Sequence, residues 1–119
     1  MAEPLQVQLR KGVLELCVLA LLDREDSYAY DIASRLADEI GMGEGTIYPL
    51  MRRMQSDGLF STDLVESRSG PPRKYYRLTV AGRAAFNKQG ADWASFSAAV
   101  DKIIDSKKGP RAKALKVVT

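Results

Sequence analysis

The stretch from Gly43 to Thr79 constrains this chain more than any other part of it. It opens G-E-G-T-I-Y-P-L-M-R-R-M-Q-S-D-G-L-F and closes S-R-S-G-P-P-R-K-Y-Y-R-L-T. In the first string Ile47, Leu50, Met51 and Met54 recur at helical spacing, which predicts a helix from about Glu44 to Asp57 with that stripe turned inward. Gly58 stops it. Pro49 lies near its start and removes one backbone donor, so a slight kink or a loosened first turn is expected there. Ser61 to Ser67 and Lys74 to Thr79 are β-prone, and the Ser69-Gly70-Pro71-Pro72 cluster between them reads as the turn of a hairpin. Two strands alone are marginally stable, so the hairpin must lean on helices.

Those helices are legible upstream and downstream. Leu9 to Leu22 is apolar on nearly every side from Val13 onward, which predicts a helix buried all round and, in a chain this small, covered by a second copy. Asp26-Ser27 offers an N-cap, after which Ile32, Leu36 and Ile40 repeat every four residues in an amphipathic second helix ended by Gly41-Met42-Gly43. After Thr79, Ala84, Ala85 and Phe86 and then Trp93, Phe96, Val100, Ile103 and Ile104 predict a last helix, weakened in its first part by Gly82 and Gly90. From Lys107 the chain has no sustained period and reads as a flexible basic tail. The expected organisation is 1–79, 80–106 and 107–119.

Composition narrows the partner. Net charge is only +3 over 119 residues, but Arg68, Arg73, Lys74, Arg77 and Arg83 fall in one stretch without an acid, and Lys107, Lys108, Arg111, Lys113 and Lys116 in another. Such local density suits a surface that docks on a polyanion. The single cysteine, Cys17, sits in the apolar run and is expected to pack as a small hydrophobe. The apolar segment Val13 to Leu22 is too short to cross a bilayer, and no export signal is recognisable, so a cytoplasmic protein is expected.

Three helices, a basic hairpin and a further helix make a mainly α architecture with a small β-hairpin (α+β): a winged helix-turn-helix plus a C-terminal helix. That arrangement docks on double-stranded DNA. Catalysis is not expected: the chain has no histidine, and no phosphate-cradling glycine loop or cysteine cluster, so no cofactor or metal is expected either. The alternative is a winged helix used for protein contacts without specific DNA binding. It calls for an acidic or apolar recognition surface and a neutral wing, against Arg52-Arg53 and Arg73-Lys74.

The strings S-Y-A-Y-D-I at 27 to 32, T-I-Y-P-L-M-R-R-M at 46 to 54, D-G-L-F at 57 to 60 and G-P-P-R-K-Y-Y-R-L-T at 70 to 79 resemble the PadR family of bacterial transcription regulators. The likeness covers about Leu9 to Ile104. The one short helix after the wing resembles the smaller PadR subfamily, which includes multidrug-responsive members. The resemblance implies a two-fold homodimer in which first and last helices exchange contacts, acting as a repressor on a palindromic operator.

On the third helix the expected DNA-facing residues are Glu44, Gly45, Thr46 and Tyr48, because the N-terminal end of a recognition helix enters the major groove. Arg52 and Arg53 are expected to join them, with an i+4 pair to Asp57 as the competing role for these cations. Arg73 and Lys74, placed where the wing's second strand begins, can reach the backbone or the adjacent minor groove. Tyr28 begins the helix that crosses the backbone, and of Tyr75 and Tyr76 one should pack inward and the other face DNA or solvent.

The resemblance also implies an effector site. In drug-responsive PadR relatives a tryptophan on the last helix faces its two-fold mate, and flat hydrophobic molecules stack between the pair. Trp93 and Phe96 would be the stacking surfaces here, with Asp101 as partner for a cationic group. The alternative is that Trp93 simply fills the dimer core.

Overall fold

The computed structural model describes residues 5–105. Along them run α1 (Leu5–Arg24), β1 (Ser27–Tyr28), α2 (Ala29–Ile40), α3 (Glu44–Ser56), β2 (Phe60–Ser67), β3 (Gly70–Leu78) and α4 (Val80–Asp105). The three strands form one antiparallel sheet in the order β1-β3-β2. This is the winged-helix α+β fold expected from the sequence. Contacts divide the chain into two compact units, with the break after Asn87. The expected basic tail lies outside the described residues.

The core of the first unit is a single apolar cluster contributed by every element of the helix-turn-helix. Leu14, Val18, Leu19 and Leu22 of α1 meet Ile32, Ala33 and Leu36 of α2, then Ile47, Met51 and Met54 of α3, and finally Phe60, Tyr76 and Leu78 of the sheet. Phe60 and Tyr76 pack edge to face with centroids 5.5 Å apart, the geometry favoured by the ring quadrupoles. Thus Tyr76 is the inward member of the tyrosine pair. Leu50, expected in the inward stripe of α3, is half-buried at its flank. Pro49 sits inside a continuous α3.

Within this one chain α1 is buried on one face, and Val13, Leu16, Cys17, Ala20 and Leu21 are half-buried. Two expectations need correction. The Asp26-Ser27 cap does not form. Ser27 and Tyr28 extend as β1 against Tyr76 and Tyr75, so Tyr28 becomes the N-cap residue of α2, with no side-chain capping bond. Ladder pairing with β3 takes the place of the cap. The hairpin turn, too, is confined to Arg68-Ser69, and Gly70, Pro71 and Pro72 belong to β3. The prolines fit because the register is irregular between Val65 and Ser67, opposite them, and a bulge tolerates residues that cannot donate to the ladder. Arg73 and Lys74 therefore lie inside the strand, paired with Val65 and Leu64.

Helix α4 runs unbroken from Val80 to Asp105 through Gly82 and Gly90. Thr79 caps it: its hydroxyl accepts from the Gly82 N–H at 3.0 Å and donates to the Gly58 carbonyl at 2.6 Å. One threonine thus joins the end of α3, the end of β3 and the start of α4. Gly82 is buried here, and a Cβ on it would run into the Leu59 backbone carbonyl. Gly41 and Gly58 carry the positive φ angles, 78° and 82°, that turn the chain out of α2 and α3, a conformation glycine adopts without a Cβ clash.

Gly82→Ala should therefore destabilise the first unit by about 1–3 kcal/mol, since the obstacle is main chain and cannot swing aside. Thermal unfolding followed by circular dichroism should show Tm falling by ~5 °C or more, while Gly90→Ala, with open space around its Cβ position, leaves Tm unchanged or raises it.

Candidate nucleic-acid interface

Burial of Ile47, Met51 and Met54 seats α3 on the core and fixes which side it turns outward. Glu44, Gly45, Thr46, Pro49, Arg52 and Arg53 are exposed, and Tyr48 is half-buried on the flank nearest α2 and the sheet. Gly43 caps the helix without a side-chain bond; the Thr46 N–H donates to the Gly43 carbonyl at 3.1 Å, which leaves the Glu44 and Gly45 N–H groups to meet an external acceptor. A Cβ on Gly45 would meet nothing within 4 Å. The fold itself makes no demand for glycine at this position.

The two arginines of α3 have different surroundings. Arg53 donates to the Glu15 carboxylate of α1 at 3.0 Å, so its competitor is a carboxylate on another helix rather than Asp57. Arg52 makes no ion pair among the described residues. The basic stretch of the wing divides in the same way. Arg77 donates to Asp26 at 2.9 Å and lies 3.5 Å from Asp63, and the Asp26 hydrogen bond holds its guanidinium above its ordinary pKa. Arg83 is bound to Asp23 at 2.6 Å. These two cations, counted as free from the sequence, are neutralised by acids that are distant along the chain. Arg73 and Lys74 are exposed and without a carboxylate partner among the described residues.

Between α3 and the wing lies an aromatic patch that sequence reasoning resolved only in part. Tyr28 stacks with Tyr30 at 6.4 Å and tilts against Tyr75 at 5.5 Å. The Arg73 guanidinium carbon lies over the Tyr28 ring, 4.5 Å from its centroid. Partial burial, then a hydrogen bond to Asp31, raises the Tyr28 phenol above its ordinary pKa, against the pull of Arg73. Burial, with Glu44, Tyr30 and Tyr76 adding to it, raises that of Tyr48. Both hydroxyls stay protonated and can donate near neutral pH. Tyr30 was missed because its role depends on the β1–β3 pairing, which two residues of strand could not announce; its exposure beside Tyr28 at i+2 was the available hint.

The expected effector residues lie on α4. Trp93 is 45% exposed and Phe96, one turn on, 62%; Asp101 is exposed further along. Cys17 is half-buried against the core, and burial, with the nearby Glu39 carboxylate, pushes its thiol up, as expected of a packing residue rather than a reactive one. Among the described residues no cluster of His, Cys, Asp or Glu could hold a metal ion, and no helix is long and apolar enough to cross a membrane.

This geometry has close relatives. A PadR-like transcriptional regulator from Bacillus cereus superposes with a TM-score of 0.75 at 35% identity, covering 82% of this chain and 96% of that one. A PadR-like transcription factor from Bacteroides fragilis is 42% identical with a TM-score of 0.66, covering 85% and 99%. Bacillus subtilis PadR, solved in complex with operator DNA, superposes at 0.58 with 25% identity over 65% of this chain and 46% of that one. Residues 18–88 match the transcriptional regulator PadR-like family, and on that match, with the fold and the basic wing, this chain belongs to the PadR-like family of transcriptional regulators.

Proposed function

We propose that this regulator binds a palindromic operator as a homodimer in the cytoplasm and represses transcription by occupying the promoter, and that a small hydrophobic or aromatic molecule releases it. Its family is one of transcription regulators, not of enzymes. The observation that carries the DNA reading is an uncovered α3 face beside a wing whose Arg73 and Lys74 have no carboxylate partner among the described residues. Free cations release counter-ions from DNA on binding, whereas cations already paired, such as Arg77 and Arg83, contribute little.

In this reading Glu44, Gly45, Thr46 and Tyr48 approach the bases, with the Glu44 and Gly45 N–H groups at the start of α3 against a phosphate. Glu44 is poorly suited to phosphate and well suited to the cytosine amino group. Arg52, Arg73 and Lys74 neutralise phosphates, as does Arg53 once it leaves Glu15. Tyr28 lies where the backbone passes α2. The B. subtilis relative's operator complex supports DNA as the partner. An acidic or apolar recognition face, which a protein-contact module would need, is absent from α3 as described.

Homodimerisation is supported by apolar side chains that this chain leaves uncovered. Leu5 and Leu9 on α1, and Trp93, Phe96, Ile103 and Ile104 on α4, are all exposed, more than isolated surface hydrophobes account for. A second copy would cover them and complete the enclosure that the α1 sequence calls for. Trp93 and Phe96 would then meet their mates across the two-fold axis, leaving stacking surfaces for a flat effector with Asp101 near its charged end. The effector acts by favouring one dimer state over the other.

Arg73→Ala with Lys74→Ala should weaken binding to operator and scrambled duplexes alike and flatten the dependence of log K on log salt by about 2 units per wing pair or less, as fluorescence anisotropy would show. Gly45→Ala should stabilise α3 slightly, by roughly 0.5–1 kcal/mol, yet reduce operator affinity; unchanged affinity would place Gly45 away from the DNA. A compound that quenches Trp93 fluorescence should also lower operator affinity. Quenching with unchanged affinity would separate the pocket from regulation.

A further inference from the structure

We infer that Tyr28 serves DNA binding as a positioning residue that holds the Arg73 guanidinium, face down on its ring, with the guanidinium edge presented to a phosphate. The inference rests on the DNA-binding reading above and gives Tyr28 a different part in it, acting through Arg73 rather than on the backbone itself.

The β1–β3 pairing generates this arrangement. Tyr28 is directly opposite Tyr75, and Arg73 is two residues before Tyr75 on the same strand, so all three side chains emerge on one face with Arg73 diagonal to Tyr28. The ring of Tyr28 is flanked by Tyr75 at 5.5 Å and Tyr30 at 6.4 Å. Arg73 then lies over that ring at 4.5 Å.

The chemistry of the contact separates Arg73 from the other arginines of the interface. Arg77 and Arg53 spend N–H donors on carboxylates, which hold them in place but cancel their charge toward DNA. An aromatic face holds a guanidinium through its plane, consumes none of the N–H donors at its edge and leaves the full charge. A phosphate needs those edge donors in a fixed fork. An arginine at a wing would otherwise pay to immobilise a long side chain on binding, and the stack settles much of that ordering beforehand. Lys74, its neighbour on the opposite face, has no such support among the described residues.

The test is a double-mutant cycle on DNA affinity. A duplex selected by the wild-type protein from a random-sequence pool is titrated at several salt concentrations with wild type, Tyr28→Phe, Tyr28→Leu, Arg73→Ala, Arg73→Lys and the Tyr28→Leu, Arg73→Ala double variant. Tyr28→Phe should bind like wild type, because the ring face is kept. Tyr28→Leu should lose about two- to fivefold per half-site, and the double variant should be no weaker than Arg73→Ala alone. Additive losses would overturn the inference, as would Tyr28→Phe losing as much as Tyr28→Leu, which would assign the role to the hydroxyl. Arg73→Lys does not depend on how Tyr28 variants fold: it should bind more weakly than wild type while keeping most of the salt slope, and equal affinity would also overturn the inference. Failure of the wild-type protein to select any duplex would overturn the DNA-binding reading itself, a result distinct from additivity in the cycle.

Discussion

The seating of α3 is the constraint on which the rest of the structure depends. Ile47, Met51 and Met54 are essentially inaccessible and meet residues from α1, α2 and the sheet in one cluster. Close packing at these positions leaves the helix little freedom to roll about its axis. With one side fixed inward, Gly45, Pro49 and Arg52 are carried outward together. A recognition surface on a helix is only as well defined as the packing behind it.

Strand β3 performs the equivalent task for the wing. It is the middle strand, pairing with β2 along its length and with β1 at Tyr75 and Tyr76. Tyr76 anchors it in the core while Tyr75, on the other face, joins Tyr28 and Tyr30. Arg77 adds a second tie, bridging Asp26 before β1 and Asp63 on β2. Exposed ion pairs of this kind contribute little to stability individually; here their larger effect is to remove positive charge from one part of the wing and leave it at Arg73 and Lys74. The electrostatic face is therefore smaller and more sharply placed than the count of basic residues suggests.

The uncovered apolar residues of α1 and α4 carry the same kind of information about assembly. Their exposure in one chain supports the homodimer proposed above, in which a second copy would supply the missing surface and Trp93 would stand at the proposed effector site. Regulation and assembly would then share one set of side chains.

Much of this was legible in the sequence because it depends on short-range periodicity. The α3 stripe, the glycine stops at Gly41 and Gly58, the hairpin and the opposite facing of Tyr75 and Tyr76 all follow from residue spacing within one element, and the strings around Thr46 and Tyr76 sufficed to indicate the family. The tertiary structure alone decided what depends on partners far apart along the chain. It made Ser27 and Tyr28 a strand rather than a cap, because β3 offered a ladder. It set Gly82 against the Leu59 carbonyl and Thr79 across three elements. It also determined which arginines are neutralised, since Glu15, Asp23 and Asp26 meet Arg53, Arg83 and Arg77 only once the chain is folded. Periodicity reports the local geometry of the backbone, whereas charge pairing and aromatic stacking depend on through-space proximity.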